Sequence, residues 1–170
     1  MTRLLLFGGC LLLGGGILSS CIDWVDDPPP PPYTAYSPVM MERSAMEQAI
    51  AQQAPRDIQD PAKIYAYGTY LFISEKFQGV HVIDNANPAR PVNQGFIRIP
   101  GCVDMAVKGT TLFTDNATDL VGINVSDPTN VREISRVRDA FPVLLPPDLG
   151  QIPEAYQNRA EDMIIIEWRK

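Results

Sequence analysis

Histidine and cysteine are scarce in this chain, and that scarcity removes most metal chemistry from consideration. There is one histidine, His81, and there are three cysteines, Cys10, Cys21 and Cys102, with no C-x-x-C pair. A structural zinc site wants clustered Cys and His at short spacings, which these residues do not offer. Basic charge is in deficit too: 14 Lys and Arg stand against 20 Asp and Glu, for a net charge of −6. Such a surface argues against nucleic acid, and against docking on anionic lipid through a basic patch. Neither G-x-S-x-G nor a phosphate-cradling glycine loop occurs, so two common catalytic signatures are missing. The uncharged apolar run from Leu4 to Ile17 is too short to span a bilayer stably.

That run reads instead as the core of an export leader. Arg3 supplies a short positive region, and Leu18-Ser19-Ser20-Cys21 closes the stretch. The order is that of a secretory signal peptide over residues 1–20. A small pair followed by cysteine, where an ordinary signal ends in A-x-A, resembles the bacterial lipobox. The resemblance implies that Cys21 is acylated on sulfur, becomes the mature N-terminus and receives a further chain on its amine. Two or three acyl chains give lasting membrane attachment where one would not. The opposing reading is a plain signal peptide with an incidental cysteine. Arg3 is the leader's only charged residue, so 13 basic and 20 acidic residues remain after it, net −7. Attachment must then come from the lipid. With Cys10 removed and Cys21 acylated, Cys102 has no intrachain partner and reads as a small buried apolar residue. A reactive thiol or an intermolecular bridge are its alternatives.

Residues 21–40 read as an acidic, proline-rich tether. Pro28 to Pro32 favour polyproline II, a semi-rigid spacer of roughly 3 Å per residue that holds the folded part off the membrane. Asp23, Asp26 and Asp27 behind the cysteine resemble the tether signals of surface-exported lipoproteins in Bacteroidota. Position 22 is Ile and not Asp, so the inner-membrane retention cue is missing. The expected address is the outer membrane, on its periplasmic face or at the cell surface. Residues 41–62 form a lead-in with a short helix expected over 44–53. Ser44-Ala45-Met46-Glu47 has the form of a capping box and Pro55 stops the helix. Met46, Ala49 and Ile50 share the face that packs on the domain.

From Lys63 the pattern changes to strands. Ile64–Tyr67, Tyr70–Ser74, Gly79–Asp84 and Val92–Ile99 are apolar, β-branched and aromatic runs divided by Gly68-Thr69 and Asn85-Ala86-Asn87-Pro88. The order then recurs over Val103–Val107, Leu112–Thr114, Leu120–Val125 and Val131–Val137. Gly68-Thr69-Tyr70-Leu71-Phe72 matches Gly109-Thr110-Thr111-Leu112-Phe113 at an offset of 41, and Asn87-Pro88 matches Asp127-Pro128 at 40. The one-residue difference falls in the hairpin between, where length changes are cheap. Two copies of about 40 residues with four strands each have the period of a β-propeller blade. The expected fold is therefore all-β, with blade-type repeats at 63–102 and 103–140 and a Pro-rich loop with a terminal strand, Met163–Trp168, over 141–170.

Gly79-Val80-His81-Val82-Ile83-Asp84-Asn85-Ala86-Asn87-Pro88 and Leu120-Val121-Gly122-Ile123-Asn124-Val125-Ser126-Asp127-Pro128 resemble the LVIVD repeat, a propeller-blade motif of bacterial envelope proteins. The first copy is the better match. The second has Gly122 and Asn124 where the motif prefers a β-branched residue and Asp. The order of lipobox, Pro-rich spacer, short helix, Lys63-Ile64-Tyr65-Ala66-Tyr67-Gly68 and repeats is similar to a group of LVIVD-repeat lipoproteins of Bacteroidota. The resemblance covers roughly residues 18–145 and implies a propeller-like fold. It carries over no catalytic residues.

The remaining candidates weigh toward structure. His81 alternates with Val80 and Val82, so it faces the other way, onto a blade surface or a blade–blade contact; no orienting acid can be placed beside it. Asp84-Asn85, Asp115-Asn116 and Asp119 lack the offsets and closing glutamate of a calcium loop, and such residues commonly hold turns. Asn116-Ala117-Thr118 and Asn124-Val125-Ser126 fit a glycosylation sequon that bacteria seldom use. Tyr65, Tyr67, Tyr70, Phe72, Phe77 and Phe96 are numerous enough for a sugar-stacking platform and read more simply as core. No metal or cofactor is expected. Asp104 and Asp115 are the only acids near inner strands, and Asp104 has no counterpart in the first repeat.

Propellers need four or more blades, because each blade buries its faces on two neighbours. Two blades leave three readings: the front part of a longer propeller protein, self-association that closes a ring, or two sheets packing alone. The function expected is a membrane-anchored, non-catalytic module presenting a protein- or glycan-binding surface at the envelope, with no nucleic acid partner. The rival is a fragment of a larger propeller-type envelope hydrolase or lyase whose site lies in missing sequence.

Overall fold

The computed structural model describes residues 32–170. The leader, Cys21 and the first four prolines of the run lie outside the described residues. The described fold is all-β, built from three antiparallel sheets with two short helices. β1 (Ser37–Glu42) runs into α1 (Arg43–Gln48) and β2 (Ala51–Gln53). β3 (Pro61–Tyr67), β4 (Tyr70–Glu75), β5 (Gly79–Asp84) and β6 (Val92–Arg98) form a meander, and β2 adds to its β6 edge. β7 (Met105–Lys108), β8 (Thr111–Asn116), β9 (Asp119–Asn124) and β10 (Arg132–Val137) form a second, four-stranded meander. After a loop and α2 (Glu154–Gln157), β11 (Met163–Arg169) returns to pair with β1.

The repeat seen in the residues extends to the backbone. Gly68 and Gly109 turn the first hairpin of each meander, both at φ +59°, a conformation that costs glycine little. Asp84 and Asn124 each accept the amide two residues on, and Asn87 and Asp127 do the same before their prolines' loops close. Each last strand carries one extra residue, Gln94 or Ile134, so Val82 pairs Gly95 while Ile83 pairs Asn93, and Gly122 pairs Ser135 while Ile123 pairs Glu133. A bulge of this kind twists the strand at a chosen place. The length difference lies where expected. Glu75 pairs Gly79 across three loop residues, and Asn116 pairs Asp119 across two.

Alternation along the strands gives each sheet two faces. Phe72, Val80, Val82 and Ile97 of the first sheet pack on Met105, Leu112, Val121 and Ile123 of the second, forming the main core with Cys102 and Ile99. By the offsets above, Phe72 corresponds to Phe113 and not to Leu112. The Phe72 face of one repeat thus meets the opposite, Leu112 face of the next. The stacking is head-to-tail. The first strands β3 and β7 lie together, joined by the Tyr65 hydroxyl donating to Val107 O (3.0 Å) and by Lys63 Nζ on Asp104 (2.6 Å).

The lead-in departs from the sequence reading. A helix stands at Arg43–Gln48, but Ala51–Gln53, read as its last three residues, are strand, captured by the open edge of β6. Glu42 occupies the N-cap position with no side-chain capping bond, so the Ser44–Glu47 box does not form. Met46 is fully buried against Ala117, Ile164 and Ile166, and Ile50 touches the main core. Ser37–Met40, read as the end of the tether, are strand.

Candidate functional site

The β4–β5 hairpin builds one wall of a polar concavity. Glu75 ends β4 and His81 sits on β5, both on the Ile73 face, as diagonal cross-strand neighbours. Glu75 Oε2 and His81 Nε2 are 2.6 Å apart and both side chains are buried. Arg56 donates to the same Oε2 at 3.0 Å and lies flat over the Phe96 ring, 3.7 Å from its centre. Phe96 in turn meets the His81 ring edge-on at 4.8 Å. A guanidinium on an aromatic face, closing over a carboxylate, gains from cation–π attraction and a charge-assisted bond together. Beside this lid is a cleft of about 700 Å³, where Asp57, Asp60, Glu75 and Glu167 outnumber Arg56 and Lys76. Gln59, Gln78, Tyr36, Phe77, Pro147 and Trp168 complete its walls.

The second repeat places a different charged cluster at the matching end. Asn116 stands for Glu75 and Arg136 for Phe96. Asp119, fully buried, accepts from Arg43 (3.0 Å), Arg136 (2.7 Å) and the Asp139 amide (3.1 Å). Burial pushes the Asp119 carboxyl up, but the bonds from Arg136, the Asp139 amide and Arg43 outweigh it and hold it below the usual carboxylate range. Arg136 also grips Glu133 through two bonds, and Arg43 reaches Asp139. In both repeats an arginine of the lead-in, Arg56 or Arg43, closes on an acid buried at a hairpin.

The other residues singled out in the sequence are structural in this setting. Cys102 is buried with Sγ 3.2 Å from Thr114 Oγ1, and burial pushes the thiol up to about 12. Asp115 accepts the Val103 and Asp104 amides, while burial raises its carboxyl above the ordinary range. Asp104 is exposed on Lys63, which lowers its carboxyl. Asn116 donates to Pro100 O from a fully buried position, and Asn124 holds a turn. Phe72 and Phe96 are buried, Tyr65, Tyr67 and Tyr70 pack against the main cluster and Phe77 lines the cleft, so the six do not make one platform. Among the described residues no three His, Cys, Asp or Glu side chains converge as a metal site would require.

No family model, no curated protein and no solved structure matches this chain. The functional reading therefore rests on geometry. His81 is shut in: Nε2 faces Glu75, and Nδ1 is enclosed without a hydrogen-bond partner among the described residues. An acid and an imidazole at bonding distance are the parts of a proton-transfer pair, yet a general base must reach its substrate. What faces the cleft is four carboxylates, two side-chain amides, two cations and aromatic rings. That set suits hydrogen bonds to hydroxyls. Glu75 as partner of His81 was missed in the sequence because the pairing depends on where the hairpin turns.

Proposed function

We propose that this chain is a membrane-anchored, non-catalytic binding module of the LVIVD-repeat, β-propeller-like type. It is held at the outer membrane of a bacterial envelope by lipid on Cys21 and spaced from it by the proline run. The head-to-tail stacking of the two repeats carries the reading, because blades of a propeller stack in that manner. Its binding surface is the acidic cleft beside the Arg56–Glu75 lid, and its ligand is a glycan. Carboxylate and amide acceptors beside aromatic walls favour a hydroxyl-rich ligand over an apolar one.

Trp168 lines the cleft, so titration with soluble peptidoglycan fragments and surface polysaccharide should change its fluorescence saturably. Asp60→Asn with Glu167→Gln should weaken that response at least about tenfold. Saturable binding of proteins alone would move the module to protein recognition, and turnover of the glycan would replace the module with the envelope hydrolase or lyase. The anchor is tested separately. A fatty-acid analogue should label the wild-type chain and not Cys21→Ala, and the labelled chain should sediment with outer membranes.

A further inference from the structure

The loop between β10 and α2 carries apolar side chains into solvent at the place where the chain enters the fold. Residues 140–152 contain a single charged residue, Asp148. Its carboxylate is taken up internally by the Thr34 hydroxyl (2.8 Å) and by the amides of Ala35 (2.9 Å) and Gly150 (3.0 Å). Tyr33 bridges Gln151, the Thr34 amide donates to Gln151 O and the Gln151 amide donates to Pro32 O, so the loop tip and residues 32–35 are tied together. Leu149 at the tip is 72% exposed, with Tyr33 at 66% and Leu145 at 63%. Leu149 also has φ +54°, a left-handed conformation that strains a leucine, yet its side chain stays in water. The backbone of the tip is already provided for. Pro146 and Pro147 have no N–H, while Leu149, Gly150 and Gln151 donate to Pro146 O, Asp148 and Pro32 O. An apolar tip with its donors satisfied suits surroundings poorer in water than bulk solvent.

We propose that this tip, formed by Tyr33, Leu145 and Leu149, docks on a lipid surface, the bilayer that holds the anchor. The proposal rests on the lipid on Cys21 in the reading above and is independent of the ligand of the cleft. Chain order argues for this occupant. Residues 22–31 link Cys21 to Pro32, so the tip belongs to the end of the fold nearest the anchor along the chain. The proline run bounds how far the fold strays and leaves its tilt free; the patch sets that tilt. Charge argues the same way. The chain is acidic and residues 140–152 hold no Lys or Arg, so the tip binds through apolar area and not through anionic headgroups. Leu145 and Leu149 enter the boundary between headgroups and acyl chains, and the Tyr33 ring sits at headgroup depth, where tyrosine is favoured. A weak contact is enough, because the anchor supplies a high effective concentration.

A dye at the tip tests this. Leu149→Cys supplies an accessible thiol in the acylated chain, where Cys102 is buried and Cys21 carries the lipid. Ala89→Cys is the control, exposed in the turn at the far end of the first sheet from the cleft that Pro147 lines. Each is labelled with nitrobenzoxadiazole and reconstituted in phosphatidylcholine vesicles, and circular dichroism checks that it is folded. The label at 149 should be blue-shifted and at least about twofold brighter than the label at 89, and lipid bearing a doxyl group on its acyl chain should quench it. Adding Leu145→Asp to Leu149→Cys should return the emission to that of the control, which separates docking by the patch from insertion of the dye. A label at 149 that emits as in water, on a chain that carries fatty acid and floats with the vesicles, overturns the proposal and leaves the anchor standing. Bright emission that doxyl lipid does not quench puts protein on the tip, a second copy included, and overturns it too, as does indifference to Leu145→Asp. A chain that takes up no fatty acid overturns the anchor and the docking together.

Discussion

Two aspartates of the second repeat, Asp119 buried and Asp115 half-buried, have carboxyls shifted in opposite directions although they lie only four positions apart. Asp119 lies between two arginines that hold its carboxyl low, whereas burial dominates at Asp115 and pushes its carboxyl up. A lowered folded value means that the stabilisation is present above the unfolded value, about 4, and is lost as pH falls through the folded one. A raised value means the reverse: the contribution is present below the unfolded value and is lost as pH rises through the folded one. Asp119→Asn should thus cost about 2 kcal/mol at neutral pH, with the gap to wild type closing in acid. Asp115→Asn keeps an oxygen for the Val103 and Asp104 amides and removes a charge that burial penalises, so it should cost less at neutral pH. Urea unfolding of both variants at pH 7 and pH 3 checks the order. Cys102 makes a simpler case: its raised thiol and full burial should protect it from N-ethylmaleimide in the folded protein and expose it in denaturant, read on the Cys102 peptide by mass spectrometry. That burial was legible in the sequence from a cysteine left without an intrachain partner. The Glu75–His81 contact was not, because it needs the hairpin register.

At the scale of elements, the meander strands were legible because alternation and turn residues agree over short distances. The lead-in was not, because its pairings are long-range. Ser37–Glu42 has no alternation and becomes strand through β11, more than a hundred residues on. Ala51–Gln53 would extend a helix but gains the unpaired edge of β6 instead, a case of tertiary pairing overriding local preference. The turns differ in a way that substitutions can read. Gly101 has φ +76°, and an added Cβ would lie 2.7 Å from the Ala117 amide nitrogen, in the loop that locks the two hairpins together. Gly68 has φ +59° but open space around it. Gly101→Ala should therefore cost about 3 kcal/mol, strain plus a displaced hairpin, and Gly68→Ala about 1 kcal/mol from strain alone. Thermal unfolding followed by circular dichroism should rank them in that order; equal effects would mean that the Gly101 loop moves aside freely.

Across the described residues, the lead-in is bonded to both repeats and reinforces the core they share. It adds β2 to the first sheet and sets Arg56 on Glu75; it also sets Arg43 on Asp119, Glu47 on Arg138 and Met46 on Ala117 of the second. Through β1 it holds β11 as well, where the Arg43 amide donates to Asp162 O. Repeats that touched only each other would unfold as a one-dimensional array, each at its own stability. A strap bonded to both should make them unfold together. Met46 is the apolar centre of that strap, and Met46→Ala should remove about 3 kcal/mol through the cavity it leaves. The more telling quantity is cooperativity. In wild type, Trp168 fluorescence and far-ultraviolet circular dichroism should trace one urea transition. In a Met46→Ala, Arg43→Ala double variant the strap is loosened from the second repeat, so the two signals should separate, with β11 and its tryptophan leaving first. Coincident transitions in the double variant would show that the head-to-tail core between the sheets holds the repeats together without the strap.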